Sequence, residues 1–249
     1  MNKIIILAGG KGKRMKSELP KVLLPINDRP MIKYLIESVL SSGLDNNPII
    51  VASPSNKDIL QESLSEYNLD FAVQGEPLGT GHAVLSAKNL ITEEVDNILV
   101  LYGDHPFITA QSIQKLFDNH QAEVSLMTTE VDNFVDWQKN FYHWGRIIRE
   151  NNKIKEIIEF KDATDDVKNV KEVNPAIFCF NRKWLFSNLD NLKNNNSQGE
   201  YYLTDLIKTA FDQGINISSA SINPLEAMGI NSPEELDIAR KLVLNKKYV

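Results

Sequence analysis

Lys3-Ile4-Ile5-Ile6-Leu7-Ala8-Gly9-Gly10-Lys11-Gly12-Lys13-Arg14-Met15, with Lys21 a few residues on, is the stretch around which the chain is organised. The apolar run from Lys3 to Ala8 reads as a buried strand, because Ile-rich runs of this length suit a pleated surface covered on both sides. Gly9, Gly10 and Gly12 end it and free the backbone to bring N–H groups close to a ligand. Lys11, Lys13, Arg14, Lys16 and Lys21 surround that backbone with positive charge against Glu18 alone, in a chain of formal net charge -6. A cationic island of this size suits a small polyphosphate. A nucleic-acid footprint would need basic charge spread over a face. A solvated lysine-rich loop beside a strand has the same local composition.

The spacing excludes two familiar phosphate turns. Gly10-Lys11-Gly12-Lys13-Arg14-Met15 begins like a dinucleotide fingerprint, but Met15 stands where the third glycine would let the helix pack on the strand. Nor does Gly-x4-Gly-Lys-Ser/Thr, the P-loop pattern, occur here.

Working outward, helices and strands alternate. Pro30 to Leu40 has helical apolar spacing, with Gly43 beyond it as a stop. Ile49 to Ala52 reads as a strand, Lys57 to Tyr67 as a helix, and Phe71 to Val73 as a strand. They are followed by a helix from Gly81 to Leu90, a strand from Asn97 to Tyr102, a helix from Gln111 to Asn119 and a strand from Glu123 to Thr129. This alternation predicts an α/β fold of Rossmann-like type, a mixed and mostly parallel sheet with helices on both faces and ligands at the carboxyl ends of the strands. The turns at Gly9–Lys13, Gln74–Gly81 and Gly103-Asp104 all follow strands and are expected to meet on one rim.

From Val131 the pattern loosens. Gly145 to Glu150 and Lys153 to Phe160 resemble strands joined by Asn151-Asn152, and Val173 to Asn181 reads as a further strand. The chain is expected to form a single domain over 1–249: a main part over 1–130, a smaller lobe facing the rim over 131–200, and helices Tyr201–Gln213 and Pro233–Leu244 returning over 201–249. Asn194 to Gly199 is polar enough for a loop.

The chain has 249 residues, 42% of them hydrophobic, enough for a large core. It has no apolar run of about 18 residues and no signal-peptide pattern, so a cytoplasmic protein with no membrane contact is expected. Cys179, the single cysteine, lies in an apolar run and reads as buried and inert.

Leu7 to Met15 followed by Leu19-Pro20-Lys21-Val22-Leu23 resembles the signature of the sugar-1-phosphate nucleotidyltransferases, and most of all the uridylyltransferase domain of bacterial N-acetylglucosamine-1-phosphate uridylyltransferases. Further blocks resemble it in order: Gln74-Gly75-Glu76-Pro77-Leu78-Gly79-Thr80-Gly81-His82-Ala83, Tyr102-Gly103-Asp104, Gly145-Arg146-Ile147, Glu159 to Thr164, Gly199 to Asp205, and Gly229-Ile230-Asn231. They cover nearly the whole chain.

The resemblance implies attack by a sugar 1-phosphate oxygen on the α-phosphorus of UTP, releasing pyrophosphate, with N-acetylglucosamine 1-phosphate as the sugar substrate. Phosphate is already anionic, so the task is positioning and charge neutralisation. Arg14 would hold pyrophosphate and Lys21 the pentavalent phosphorus, as catalytic residues. Leu7, Ala8, Gly9, Gly10, Gln74, Gly79, Thr80 and Gly103 would bind the nucleotide. Gly145, Glu159, Asn174 and Tyr201 or Thr204 would contact the sugar. Asp104 and Asn231 would hold Mg²⁺, a cation that prefers oxygen and accepts few protein ligands. Taken singly, Lys21 would be a surface lysine, an Asp after Gly is usually a cap, and Asn231 fits as an N-cap for the helix after Pro233. His82 reads as a capping or packing residue.

Two departures from the pattern stand out. Asn174-Pro175-Ala176 replaces Asn, then Thr or Ser, then Gly, which removes a backbone donor and adds a Cβ. The chain also stops at Val249 without the hexapeptide repeats of the two-domain enzymes, so acetyltransferase activity and trimerisation through such repeats are not expected. Another base, another hexose phosphate, or a nucleotide-sugar sensor without turnover are the competing functions. No protein partner is identifiable.

Overall fold

The computed structural model describes residues 1–10 and 12–244, without the side chain of Lys13; Lys11 and that side chain, both counted above in the cationic turn, lie outside the described residues. In chain order the elements are β1 (Asn2–Leu7), a short hairpin of β2 (Pro25–Ile26) and β3 (Arg29–Pro30), α1 (Met31–Ser41), β4 (Ile49–Ala52), α2 (Lys57–Ser63), β5 (Asp70–Val73), α3 (Thr80–Ser86), β6 (Asn97–Tyr102), α4 (Ala110–Asp118) and β7 (Val124–Glu130). They continue with β8 (Arg146–Glu150), β9 (Lys153–Ile158), α5 (Asp165–Lys168), β10 (Glu172–Val173), β11 (Phe178–Asn181), α6 (Arg182–Leu189), α7 (Asp205–Asp212), β12 (Ser218–Ser221) and α8 (Pro233–Leu244).

β1 is central, as its composition predicts: it pairs in parallel with β4 on one side and β6 on the other. Ile4, Ile5 and Ile6 are all 0% exposed. Their alternation divides the core. Ile4 and Ile6 join α1 through Ile32, Leu35 and Ile36 and α4 through Ile113 and Leu116. Ile5 faces the opposite side, with α3 through Val84, α6 through Leu185 and α7 through Leu206 and Ile207. A third cluster seats α8, by Leu236 and Ala239, against Met15, Ile26 and Met31, which fixes this helix beside the first turn.

The ten-stranded sheet runs β5-β4-β1-β6-β11-β7-β10-β8-β9, with β12 on β7. β11, β10 and β9 run against the rest, so the expected mixed, mostly parallel sheet is present. β8 and β9, joined at Asn151 and Asn152 with φ of 49° and 64°, extend this same sheet, and β11 is inserted between β6 and β7.

Several local expectations are corrected. Val173 to Asn181 is not one strand: β10 and β11 lie along the same edge of β7, interrupted where the Asn174 side-chain carbonyl accepts from the Ala176 N–H at 2.8 Å. Ala176 there has φ 61°, and Pro175 has no N–H to give the ladder. The helix expected from Tyr201 begins only at Asp205. Before it the backbone is committed elsewhere, with Tyr201 N–H bonded to the Leu78 carbonyl at 2.8 Å and its carbonyl accepting from Gly81 N–H at 2.8 Å. The helix expected to reach Tyr67 stops at Ser63. Among the described residues, no helix is long and apolar enough to cross a membrane.

Candidate active site

The carboxyl ends of β1, β4, β5 and β6 form one rim, and their loops are laced together by the backbone. Ala8 N–H donates to the Val51 carbonyl at 2.8 Å, Gln74 N–H to the Ala52 carbonyl at 2.8 Å, and Gly103 N–H to the Leu7 carbonyl at 3.0 Å. The Asn56 amide anchors the Ala8 carbonyl at 2.9 Å. The three turns expected on one rim are therefore found there.

A cavity of about 210 Å³ opens on this rim, and its wall includes Leu7, Ala8, Gly9, Gly10, Lys21, Gln74, Gly79, Thr80, Tyr102 and Asp104. A second, of about 220 Å³, includes Asp104, Gly145, Glu159, Asn174, Ala176 and Asn231 in its wall. Tyr102 and Asp104 line both. Two compartments thus meet at the end of β6.

At that junction the Lys21 ammonium is hydrogen-bonded to Asp104 Oδ2 and to Asn231 Oδ1 at 2.9 Å. Three residues from three parts of the chain share one point. Lys21 reaches it because Gly12, at φ 54°, carries no Cβ; one there would lie 2.7 Å from Lys21 Cβ. Burial pushes the Asp104 carboxyl up, but the Lys21 ammonium and the His105 ring overcome this and hold it well below the usual carboxylate range. Asp104 is therefore an anion at neutral pH.

Gln74 Nε2 donates to the Gly79 carbonyl at 3.0 Å and lies 3.2 Å from His82 Nδ1. This pins the amide across the turn that starts α3. Gly79 has φ 107° and ψ 177°. A Cβ there would stand 2.7 Å from both N and O of Tyr201. Thr80 Oγ1 accepts from Leu203 N–H at 3.0 Å.

On the second side, the Thr204 hydroxyl donates to Glu159 Oε1 at 3.2 Å. Burial raises the Glu159 carboxyl, with Asp205 and Asp162 adding to the shift and the Thr204 bond opposing it. The Gly145 carbonyl accepts from Asn174 N–H at 2.9 Å. Arg146, 0% exposed, is structural: its guanidinium donates to the Tyr142 carbonyl at 2.8 Å and the Lys168 carbonyl at 2.9 Å, which fixes the loop carrying His143 and Trp144.

Three expected site residues stand apart. Arg14 is exposed and lines neither of these two cavities but a third, with His143, Glu159 and Lys161, of which His143 and Glu159 also line the second. Tyr201 backs the Gly79 turn and lines an apolar pocket behind it with Leu78 and Leu192. Gly103 packs under Val22 and Ile32, where a Cβ would lie 3.0 Å and 3.3 Å from their side chains. Two residues not singled out from sequence belong to the centre: Tyr102, which lines both cavities, and His105, whose Nδ1 is 3.0 Å from Asp104 Oδ1. Both adjoin the Gly103-Asp104 turn, the one signal that marks them.

The family model described as Nucleotidyl transferase matches residues 3–222. Bifunctional protein GlmU of Clostridioides difficile (strain 630) is 40% identical over 246 residues, covering 97% of this chain and 51% of that protein. Bifunctional protein GlmU of Desulfotalea psychrophila is 39% identical over 241 residues, covering 95% of this chain and 68% of that protein. The chain thus spans between half and about two thirds of these relatives' length. The inositol-1-phosphate CTP transferase structure from T. maritima superposes with a TM-score of 0.77 at 18% identity, covering 99% of this chain and 96% of that chain, a likeness of fold. With the sequence blocks, the sheet and the matched family all agreeing, the chain belongs to the nucleotidyl transferase family, as an enzyme of the sugar-1-phosphate nucleotidyltransferase kind related to GlmU.

Proposed function

We propose that this protein transfers UMP from UTP to N-acetylglucosamine 1-phosphate, giving the UDP-sugar and pyrophosphate, in the cytoplasm and with Mg²⁺. The observation that carries this is the meeting of two cavities at Asp104, with Lys21 and Asn231 at the same point. Residues 1–130 would bind the nucleotide and 131–200 the sugar, with 201–249 closing the body.

The pinned Gln74 amide bears on the choice of base. Its nitrogen is spent on Gly79 and His82, so its oxygen is the group left to accept from a base. Uracil and thymine carry a ring N–H there; cytosine does not. Ala8, Gly9 and Gly10 would approach the phosphates, Lys21 would stabilise charge on the α-phosphorus, and Arg14 would hold the outgoing pyrophosphate. Glu159, Asn174 and Thr204 would grip the sugar.

The residues fit a hard divalent cation. Asp104 Oδ2 and Asn231 Oδ1 already converge on one cation, the Lys21 ammonium. Among the described residues no group of three or more His, Cys, Asp or Glu could hold a metal. Two oxygens suit Mg²⁺, which keeps water and phosphate as its other ligands. When bound it would neutralise phosphate charge that otherwise repels the incoming nucleophile.

Pro175 and Ala176 in the wall of the sugar cavity favour a second reading, in which another hexose 1-phosphate is the preferred acceptor. Pyrophosphate release from purified protein, Mg²⁺, each NTP and a panel of sugar 1-phosphates separates the two. Release with no combination would refute the enzyme; binding shifts without release would make it a sensor.

A further inference from the structure

His105 directly follows Asp104 and is 6% exposed. Its Nδ1 lies 3.0 Å from Asp104 Oδ1, while Lys21 takes Oδ2. The two carboxylate oxygens thus have separate partners. A carboxylate only accepts, so the proton in the Nδ1 bond belongs to the ring. The other nitrogen, Nε2, is buried with no hydrogen-bond partner. Leaving a buried polar atom unpaired carries a desolvation penalty, so the ring is held for what its other atoms do.

The ring also fills the space between two loops. A Cβ on Gly229 would lie 3.0 Å from both Cε1 and Nε2 of His105, so the chain at 229 rests directly on the imidazole. From there the backbone proceeds to Ile230, whose N–H donates to the Asp104 carbonyl at 2.9 Å, and then to Asn231. Trp144 bounds the ring, with centroids 5.8 Å apart.

We propose that His105 is a positioning residue for the cation site: its Nδ1–H fixes Asp104 Oδ1 so that Oδ2 is presented toward Asn231 Oδ1, while the ring sets the separation of the two loops. This role presupposes that Asp104 and Asn231 hold the cation. Partners that orient a metal-ligating carboxylate are typically worth 10–100-fold in metal affinity.

Mn²⁺ titration followed by electron paramagnetic resonance, on the full chain with Mn²⁺ alone as probe, tests it. His105→Phe keeps a ring and loses the donor. His105→Asn loses the ring and keeps an amide N–H near the place of Nδ1. The expected result is a Mn²⁺ affinity about 10–100-fold weaker in His105→Phe, with His105→Asn clearly closer to wild type. Thermal unfolding of each variant fixes a temperature at which all are folded. Wild-type affinity in His105→Phe, or equal losses in both variants, would overturn the hydrogen-bond role. Asp104→Ala separates the two levels: if it too binds Mn²⁺ like wild type, the cation site itself is misplaced, whereas if it alone loses binding, only the role of His105 fails.

Discussion

Lys21 Nζ and Asn231 Oδ1 are 2.9 Å apart although 210 positions separate them in the chain. The ammonium bonded to Asn231 is also bonded to Asp104, so a lysine occupies the place between two oxygens that suits a metal ion. Lys21 and a bound cation would repel each other there. Lys21→Met is therefore expected to have two opposite effects: pyrophosphate release falls by about 10²–10³-fold, the loss typical of removing one charge stabiliser, while Mn²⁺ affinity without nucleotide rises several-fold. Unchanged metal affinity, measured by paramagnetic resonance, would show that the ammonium does not compete for the site.

Ala176 bears directly on the departure seen in Asn174-Pro175-Ala176. With φ 61° it holds a left-handed conformation, which costs a residue with a Cβ roughly 1–2 kcal/mol. Ala176→Gly relieves that, less the backbone entropy glycine brings, about 0.4–1 kcal/mol. A net gain of about 0.5–1 kcal/mol is expected, or a Tm increase of about 1–4 °C for a chain of this size. Calorimetry checks it, and a Tm that falls would show the turn is not strained.

How much of this was legible beforehand depends on the kind of signal. Ile4 to Ile6 declared a strand covered on both faces, and alternation with amphipathic segments was enough to place the rim. β12, Ser218–Ser221, has a polar sequence and carries no such signal; only its parallel pairing with β7 makes it a strand. The break at Asn174 was invisible as a break, because the apolar content on both sides is that of one strand, although proline marked the spot. The pairing of Asp104 with Asn231 follows from family likeness, since no local pattern relates residues so far apart, whereas the place of the Lys21 ammonium between them is legible only in the structure. His105 carries no role legible from sequence, because a histidine after a Gly-Asp turn has many uses, and only its 3.0 Å approach to Asp104 distinguishes among them.

Gly79 joins the nucleotide turn to the strap that precedes α7. At φ 107° and ψ 177° it occupies backbone space that is nearly reserved for glycine. A Cβ would also lie 2.7 Å from the backbone of Tyr201, which cannot yield without breaking its bonds to Leu78 and Gly81. Gly79→Ala is expected to destabilise the protein by about 3 kcal/mol or more, lowering Tm by about 6–12 °C. It should also weaken UTP binding more than sugar-phosphate binding, because the Gln74 amide depends on the Gly79 carbonyl. Isothermal titration at a temperature where the variant is folded would measure both, and equal weakening would contradict the separation of the two cavities.

Glu159 provides a pH test on the other cavity. Burial holds its carboxyl above the ordinary value of 4.5, so the folded chain keeps its proton at a pH where the unfolded chain has lost it. Its contribution to stability is fully present below the ordinary value and declines as pH rises through the folded one. Glu159→Gln removes this penalty and still accepts from the Thr204 hydroxyl. The variant is therefore expected to unfold at higher temperature than wild type at neutral pH, with the difference shrinking as pH falls through the carboxylate range. If Glu159 grips a sugar hydroxyl as a charged acceptor, KM for the sugar phosphate rises by about tenfold, the equivalent of about 1.4 kcal/mol, while KM for UTP stays put. A Tm difference independent of pH would contradict the raised carboxyl, and a KM change on UTP instead would move Glu159 out of the sugar compartment.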